Sequence, residues 1–249
     1  MIDKSANTYF GDTSLLKFTY DLFESNGFSN SFVTQKIIGP YLEEHRFFHT
    51  KDHVIDILQK IYKDYIDGNI NEHSVTVLVL AAWYHDIVYN PKSKTNEEDS
   101  ASVFFRHFPH DFKFFYDVKE IILETKDHKP TTPLSKLFCD YDMSALYSEH
   151  KLEETEYCIF KEYQWVEFEV YVNERKKFLE SAKFEKTEKE IEVINKRIRW
   201  VEKFSPKIGV YAGTFNRFHK GHESILRKAE QIFDKVIVLF AINPEKEFA

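Results

Sequence analysis

Glycine and proline are scarce in this 249-residue chain, with seven of each. That scarcity argues against a turn-rich all-β protein and for long helices. Cysteine is nearly missing: only Cys139 and Cys158 occur, with no Cys-x-x-Cys pair. A disulfide scaffold is thereby excluded, and two ordinary thiols in a reducing compartment are expected. No apolar run approaches the roughly 18 residues that cross a bilayer. The first residues, Met1-Ile2-Asp3-Lys4-Ser5, also lack the basic-then-apolar order of a secretory signal. No membrane partner is expected, and the cytoplasm is the expected location. Positive charge is short as well, with 34 Lys and Arg against 41 Asp and Glu and a net charge of -7. Such a balance is a poor footprint for nucleic acid, so none is expected as partner. Small phosphorylated ligands stay open, because a metal and local lysines can neutralise them. What the chain has in quantity is aromatic, 24 Phe and 14 Tyr, enough for a sizeable core.

Helical periodicity runs through most of the chain. Leu15, Leu16, Phe18, Leu22 and Phe23 predict a helix over 13–26, and a second over 31–43 is interrupted by Gly39-Pro40. Val54, Ile55, Leu58, Ile61 and Tyr62 place one face of a helix over 53–67. Residues 72–83 form an apolar helix read as buried, and 89–95, polar with Pro91, a loop. Helices follow over 96–108, 112–125 and 135–146, then long charged helical stretches over 152–181 and 188–204. Asn96 or Thr95 can cap the 96–108 helix, with Glu97, Glu98 and Asp99 in its favourable first turn. At Ser205-Pro206 the pattern changes to strand (207–213), helix (222–233) and strand (235–241), the start of a parallel sheet. The expected fold is mainly α: an all-helical domain over 1–204, followed by a short, incomplete β-α-β Rossmann-like piece over 205–249.

One pair of residues stands out against this apolar background. His85-Asp86, in Ala81-Ala82-Trp83-Tyr84-His85-Asp86-Ile87-Val88-Tyr89, puts an imidazole and a carboxylate at the end of a buried helix. Burying them unpaired costs several kcal/mol, so partners or a metal are expected. Potential ligands of the same kind lie upstream at His49 and His53, four apart and so on one face if this segment is helical, and downstream at Asp140 and Asp142. Mixed imidazole and carboxylate donors suit one divalent ion: Mn, Fe, Co, Ni, Zn or Mg. Such an ion acidifies a water and neutralises phosphoryl oxygens, making a phosphate ester a natural target.

Four segments carry a closer resemblance: Glu44-His45-Arg46-Phe47-Phe48-His49-Thr50-Lys51-Asp52-His53, Trp83 to Tyr89, Asn96-Glu97-Glu98-Asp99-Ser100-Ala101 and Asp140-Tyr141-Asp142-Met143. Together they resemble the HD superfamily of metal-dependent phosphohydrolases over roughly residues 10–200. The resemblance implies an all-helical fold with His49, His85, Asp86 and Asp142 as metal ligands. It implies His53, Glu97, Glu98 and His128 as groups that handle protons or position substrate. Arg46, Lys51 and Lys126 are candidates for substrate phosphate, and Asp140 is placed with them at the substrate. Family members with nucleotide substrates often carry a basic residue after the final aspartate, where this chain has Met143. His73, His107 and His150 read as surface or hydrogen-bonded residues, and His45 as a polar partner of Glu43 or Glu44.

A second motif begins where the strand after Pro206 ends. Gly213-Thr214-Phe215-Asn216-Arg217-Phe218-His219-Lys220-Gly221-His222 opens a helix, whose N-terminus attracts phosphate. The string resembles the His-x-Gly-His motif of nucleotidyltransferases. With the second strand it resembles the beginning of phosphopantetheine adenylyltransferase, which joins ATP and phosphopantetheine. Gly213, Thr214, Phe215, His219 and His222 are its nucleotide-binding candidates, expected to be vestigial because two strands and one helix cannot bury both faces of a parallel sheet. Apolar residues 236–240 suit pairing with a second copy, so a homodimer through this segment is one expectation. The expected reaction is metal-dependent hydrolysis of a small phosphate ester, nucleotide or coenzyme A-related. The rival readings are a fragment of a bifunctional adenylyltransferase and a non-catalytic, ligand-sensing HD domain.

Overall fold

A computed structural model describes residues 12–215 and 217–241, mainly helical with one two-stranded parallel sheet. The chain divides into two compact units, Met1–His150 and Lys151–Ala249.

The first unit is built around a helix that has no polar face. After α1 (Asp12–Ser25), a short α2 (Asn30–Phe32) and α3 (Lys51–Ile66) comes α4 (Glu72–Tyr84), in which Val75 and every residue from Val77 to Tyr84 is buried. A helix apolar all round must be central. It packs against α3, α5 (Asn96–His107), α6 (Phe115–Glu124) and α7 (Pro133–Asp142). Asn71 starts it by accepting from Ser74 N at 2.9 Å, satisfying one of the unpaired N-terminal donors. Its few polar atoms also find partners, since Trp83 Nε1 donates to Thr19 Oγ1 at 2.8 Å and Tyr41 Oη to the Trp83 carbonyl at 2.9 Å.

The helix expected over 31–43 is not regular. A π-helical turn (Val33–Ile38) follows α2, and a 3₁₀ turn (Gly39–Leu42) follows that. Pro40 has no N–H for the ladder, and the Gly39 N–H reaches back five residues to the Thr34 carbonyl. At the other end of this unit, α7 gives way to a 3₁₀ turn over Met143–Tyr147.

The second unit begins with α8 (Leu152–Tyr163), α9 (Phe168–Ser181) and α10 (Glu188–Lys203). The charged stretch 152–181 is therefore two helices, broken where Glu167 turns its side chain to cap Val170 N at 3.0 Å. Thr187 and Glu190 form a reciprocal capping box at the start of α10. Buried Glu156 holds these helices together. Arg175 binds it through two nitrogens at 2.9 Å, and Arg197 reaches it at 2.8 Å.

Strands β1 (Ile208–Gly213) and β2 (Lys235–Phe240) pair in parallel, Ile208 opposite Lys235, with α11 (Lys220–Glu230) as crossover. Asp234 ties this piece to α8: Tyr157 Oη donates to its carboxylate at 2.8 Å and Lys161 Nζ to its carbonyl at 2.8 Å. This is why contacts divide the chain at residue 150, where the expected 1–204 and 205–249 division follows the change from helix to strand. The sheet is poorly covered. Val210, Leu239 and Phe240 are each at least half exposed, and no residue of α11 is buried.

Candidate metal centre and nucleotide-binding segment

Three helix ends in the first unit bring imidazoles and carboxylates together. His53 lies in the first turn of α3, His85 directly follows α4 and precedes Asp86, and Asp142 is the last residue of α7. His128 joins them from the loop after α6, with a backbone in the left-handed region at φ 48°. Asp142 is the hub. His53 Nε2 donates to its Oδ1 and His128 Nε2 to its Oδ2, both at 2.9 Å. Burial alone would push the Asp142 carboxyl up, but the imidazoles of His128, His53 and His85 outweigh it and hold it well below the usual carboxylate range.

His85 shows the electrostatic demand at the centre of the cluster. Its Nδ1 lies 3.0 Å from the Ala82 carbonyl, which can only accept, so Nδ1 carries a proton. Its Nε2 is fully buried and makes no hydrogen bond, yet faces Asp86 Oδ2 at 3.1 Å and Asp142 Oδ1 at 3.6 Å. A lone pair aimed at two carboxylates calls for a positive charge between them, supplied by a proton or a cation. Burial disfavours charge on His85, but Asp86 and Asp142 hold its pKa well above the ordinary imidazole value. An imidazole anchored through one nitrogen to a carbonyl, with the other facing acids, is the usual arrangement of a metal-ligating histidine. Donor atoms of His53, His85 and Asp142 all lie within 4.8 Å of one another, so these three fit a borderline or hard divalent ion.

The expected ligands are distributed around this group. His85 and Asp142 belong to it, and His53, expected to handle protons, belongs to it too. Asp86 touches it through His85. Burial would raise its carboxyl, yet His85 and His49 hold it low. The His49 ring is stacked on Tyr89 at 4.3 Å, its centroid 6.0 Å from that of His53. Glu97 borders the centre: burial and the Asp86 charge push its carboxyl up.

Other expected residues are placed differently. Arg46, expected at a substrate phosphate, is buried as a clamp on backbone and on Glu43. Its Nη1 donates to the carbonyls of Asp86 (2.6 Å) and His49 (3.3 Å), Nη2 to that of Ile87 (3.1 Å), and Nε to the Glu43 carboxylate (2.9 Å). Asp140, expected at the substrate, is held by Lys136 at 2.7 Å, one helical turn away. Glu98 and Lys126 are exposed and paired with each other, Lys126 also bonding the Lys94 carbonyl at 2.8 Å. Lys51 starts α3, 4.0 Å from Asp52. Lys60 was missed by sequence reasoning. Burial lowers its amine pKa, and the charges of Asp56 and Asp142 oppose that fall. Its spacing of seven from His53 on α3 is the signal that could have found it.

In the second unit Gly213 ends β1, and a Cβ there would meet the Phe215 ring at 2.7 Å, which is why glycine is needed. Phe215 is buried, packing against Tyr211, His222 and Phe240. Thr214 is exposed. His219 caps α11: its Nδ1 accepts from Gly221 N at 3.1 Å, while His222 Nδ1 accepts from His219 N at 3.4 Å. The two rings stack with centroids 3.8 Å apart. Imidazole lone pairs thus occupy the helix N-terminal donors that a phosphate would take. Asn216 and residues 242–244 of the motif lie outside the described residues.

Residues 210–247 match the cytidylyltransferase-like family. The chain is 55% identical over 40 residues to the phosphopantetheine adenylyltransferase of Mycoplasma capricolum subsp. capricolum, covering 16% of this chain and 29% of that protein. It is 50% identical over 42 residues to the Fusobacterium nucleatum subsp. nucleatum protein of that description, covering 17% and 26%. For the Desulfotalea psychrophila protein so described, identity is 46% over 46 residues, covering 18% and 27%. The chain therefore spans little more than a quarter of the length of these curated relatives. No solved structure matches it. Among the described residues, no helix is long and apolar enough to cross a membrane.

Proposed function

We propose that the C-terminal segment serves nucleotidyl transfer of the adenylyltransferase type. The observation that carries this reading is the 55% identity to a phosphopantetheine adenylyltransferase. The residues that would act are His219 and His222, at the N-terminus of α11, whose imidazoles can share the charge of a phosphate. Gly213 and Phe215 keep the strand end close-packed beneath them. The test is pyrophosphate release from ATP plus phosphopantetheine by the full chain, with ATP binding measured separately. Turnover abolished in His219→Ala supports the reading. Neither turnover nor ATP binding sinks it.

A second reading is favoured by one observation, the buried His85 Nε2 that faces two carboxylates. Here the first unit is a phosphohydrolase of the HD type. His53, His85 and Asp142 would hold a divalent ion, with Asp86 and His49 at its edge. When bound, the ion supplies an acidified water and neutralises phosphoryl oxygens. His128 orients the Asp142 carboxylate, and Arg46 fixes the backbone at Asp86. Glu97, with its raised pKa, is suited to move a proton at the leaving oxygen. Lys60, Lys51 and Lys126 are the nearby amines for phosphate. Elemental analysis of purified protein, followed by p-nitrophenyl phosphate hydrolysis with added Mn, tests this. Metal without turnover would favour a ligand-sensing role, and no stoichiometric metal would end the reading. Free thiols at Cys139 and Cys158 fit a reducing compartment, and we place both activities in the cytoplasm.

A further inference from the structure

A groove of about 460 Å³ in the first unit is lined by none of the three converging residues. Its walls come from the irregular helical stretch before α3 (Lys36, Pro40, Glu43), from the strip Ile87–Tyr89 and from α5 (Val103, Arg106, His107). The apolar walls and the charges are separate. Ile87, Val88, Val103, Pro40 and the Tyr89 ring supply a surface for an organic body. Lys36 and Arg106 each lie close enough to His107 that, after burial, their charges lower its imidazole pKa. Neither cation is paired with an acid among the described residues. Glu43, the acid of the groove, is already committed to Arg46 at 2.9 Å.

His107 is anchored through one ring nitrogen. Its Nδ1 lies 2.8 Å from Tyr84 Oη. With Nδ1 engaged in this way, Nε2 is the ring nitrogen left for a ligand. Two cations not paired with an acid and one imidazole nitrogen beside an apolar wall match an oxyanion attached to an organic group, since charge-assisted donors favour phosphate over a neutral oxygen.

We infer that this groove binds a small phosphate monoester with an apolar or planar body, at a site separate from the His/Asp centre. The inference does not depend on either proposed activity. Lys36 and Arg106 hold the phosphate, His107 Nε2 donates to it, and the body lies on Pro40, Val88 and Val103.

Calorimetric titration of the full chain with phenylphosphonate, in chelator to keep divalent ions out, tests this. The P–C bond resists hydrolysis, so only binding is read. Binding should weaken about tenfold or more in Lys36→Glu/Arg106→Glu, the affinity change of one lost charge contact. It should stay within about twofold in Asp142→Asn and in His219→Ala/His222→Ala. Both substituted cations are exposed, and circular dichroism will confirm that the variant is folded. If it is not, Lys36→Ala should give an intermediate loss. Inorganic phosphate should bind more weakly than phenylphosphonate. Equal binding would overturn the apolar-body part of the inference. Retained affinity in the double charge reversal overturns the site. So does loss confined to Asp142→Asn or to the histidine pair, and so does no binding by the unmodified chain at millimolar ligand.

Discussion

Arg46 carries a full positive charge into an almost solvent-free position and spends it on three backbone carbonyls and one carboxylate. An arginine beside a histidine-rich motif reads as a phosphate ligand, because sequence shows the charge and not the burial. The same limit applies to His49 and His53. Their spacing puts both on one face only if 49–53 is helical, and α3 begins at Lys51, so His49 stands before the helix and turns to Tyr89. His85 and Asp86, by contrast, stand out as a pair because an apolar run leaves a polar residue few other roles, while Asp142 is singled out only by the resemblance to a family. At this scale the sharpest prediction concerns Asp142. Replacing it with Asn removes the charge that three imidazoles face, and Mn affinity should fall by on the order of a hundredfold. Titration with Mn, followed by calorimetry, reads this directly. Unchanged affinity would assign the cluster to structure.

Helices were the easier part of the chain to read. A period of 3.6 marks α1, α3 and α5, and an unbroken apolar run marks α4 as central. The break between α8 and α9 was not legible, since no glycine or proline falls in 152–181 and the turn is made by a glutamate capping its own helix. Nor was the Arg175–Glu156–Arg197 group, whose members look like ordinary charges on three separate helices until those helices pack. Glu156→Gln should cost about 3–5 kcal/mol in urea unfolding, because buried Arg197 and half-buried Arg175 lose their counter-charge. The pH dependence follows from the same contact. Burial pushes Glu156 up, but Arg175 and Arg197 hold its folded pKa below the ordinary value. Its contribution is therefore complete above the unfolded carboxylate pKa of about 4.3 and is lost as pH falls through the lower folded value. Unfolding curves of the unmodified chain and Glu156→Gln should converge on acidification below about pH 4. A difference that persists there would mean that packing, not charge, is lost.

For the whole molecule, the open question is where one unit stops. The change from helix to strand at Pro206 is visible in the residues, while the tether from Asp234 to Tyr157 and Lys161 is not, because it joins positions more than seventy apart. If packing sets the boundary, brief trypsin digestion should cut first after exposed Lys151, which has φ 53°, as mass spectrometry will show. First cuts at Lys203 or Lys207 would favour the boundary at 204. The uncovered sheet gives a second expectation: with Val210, Leu239 and Phe240 exposed, two copies should associate through this segment. Light scattering on the full chain should report a dimer, and Leu239→Glu a monomer. A strict monomer before substitution removes that assembly.

The enclosure of α4 bears on how such a centre can change. His85 is delivered by a helix whose neighbours fill every side, so almost any replacement along Val77–Tyr84 opens a void or forces an overlap. One position of the cluster is thus frozen by packing. Glu97 and Lys60 reach the same place from partly exposed positions and can be exchanged at little structural cost. New specificity in this scaffold has a direction: it is acquired from the rim inward, while the histidine at the end of the central helix stays where the core put it.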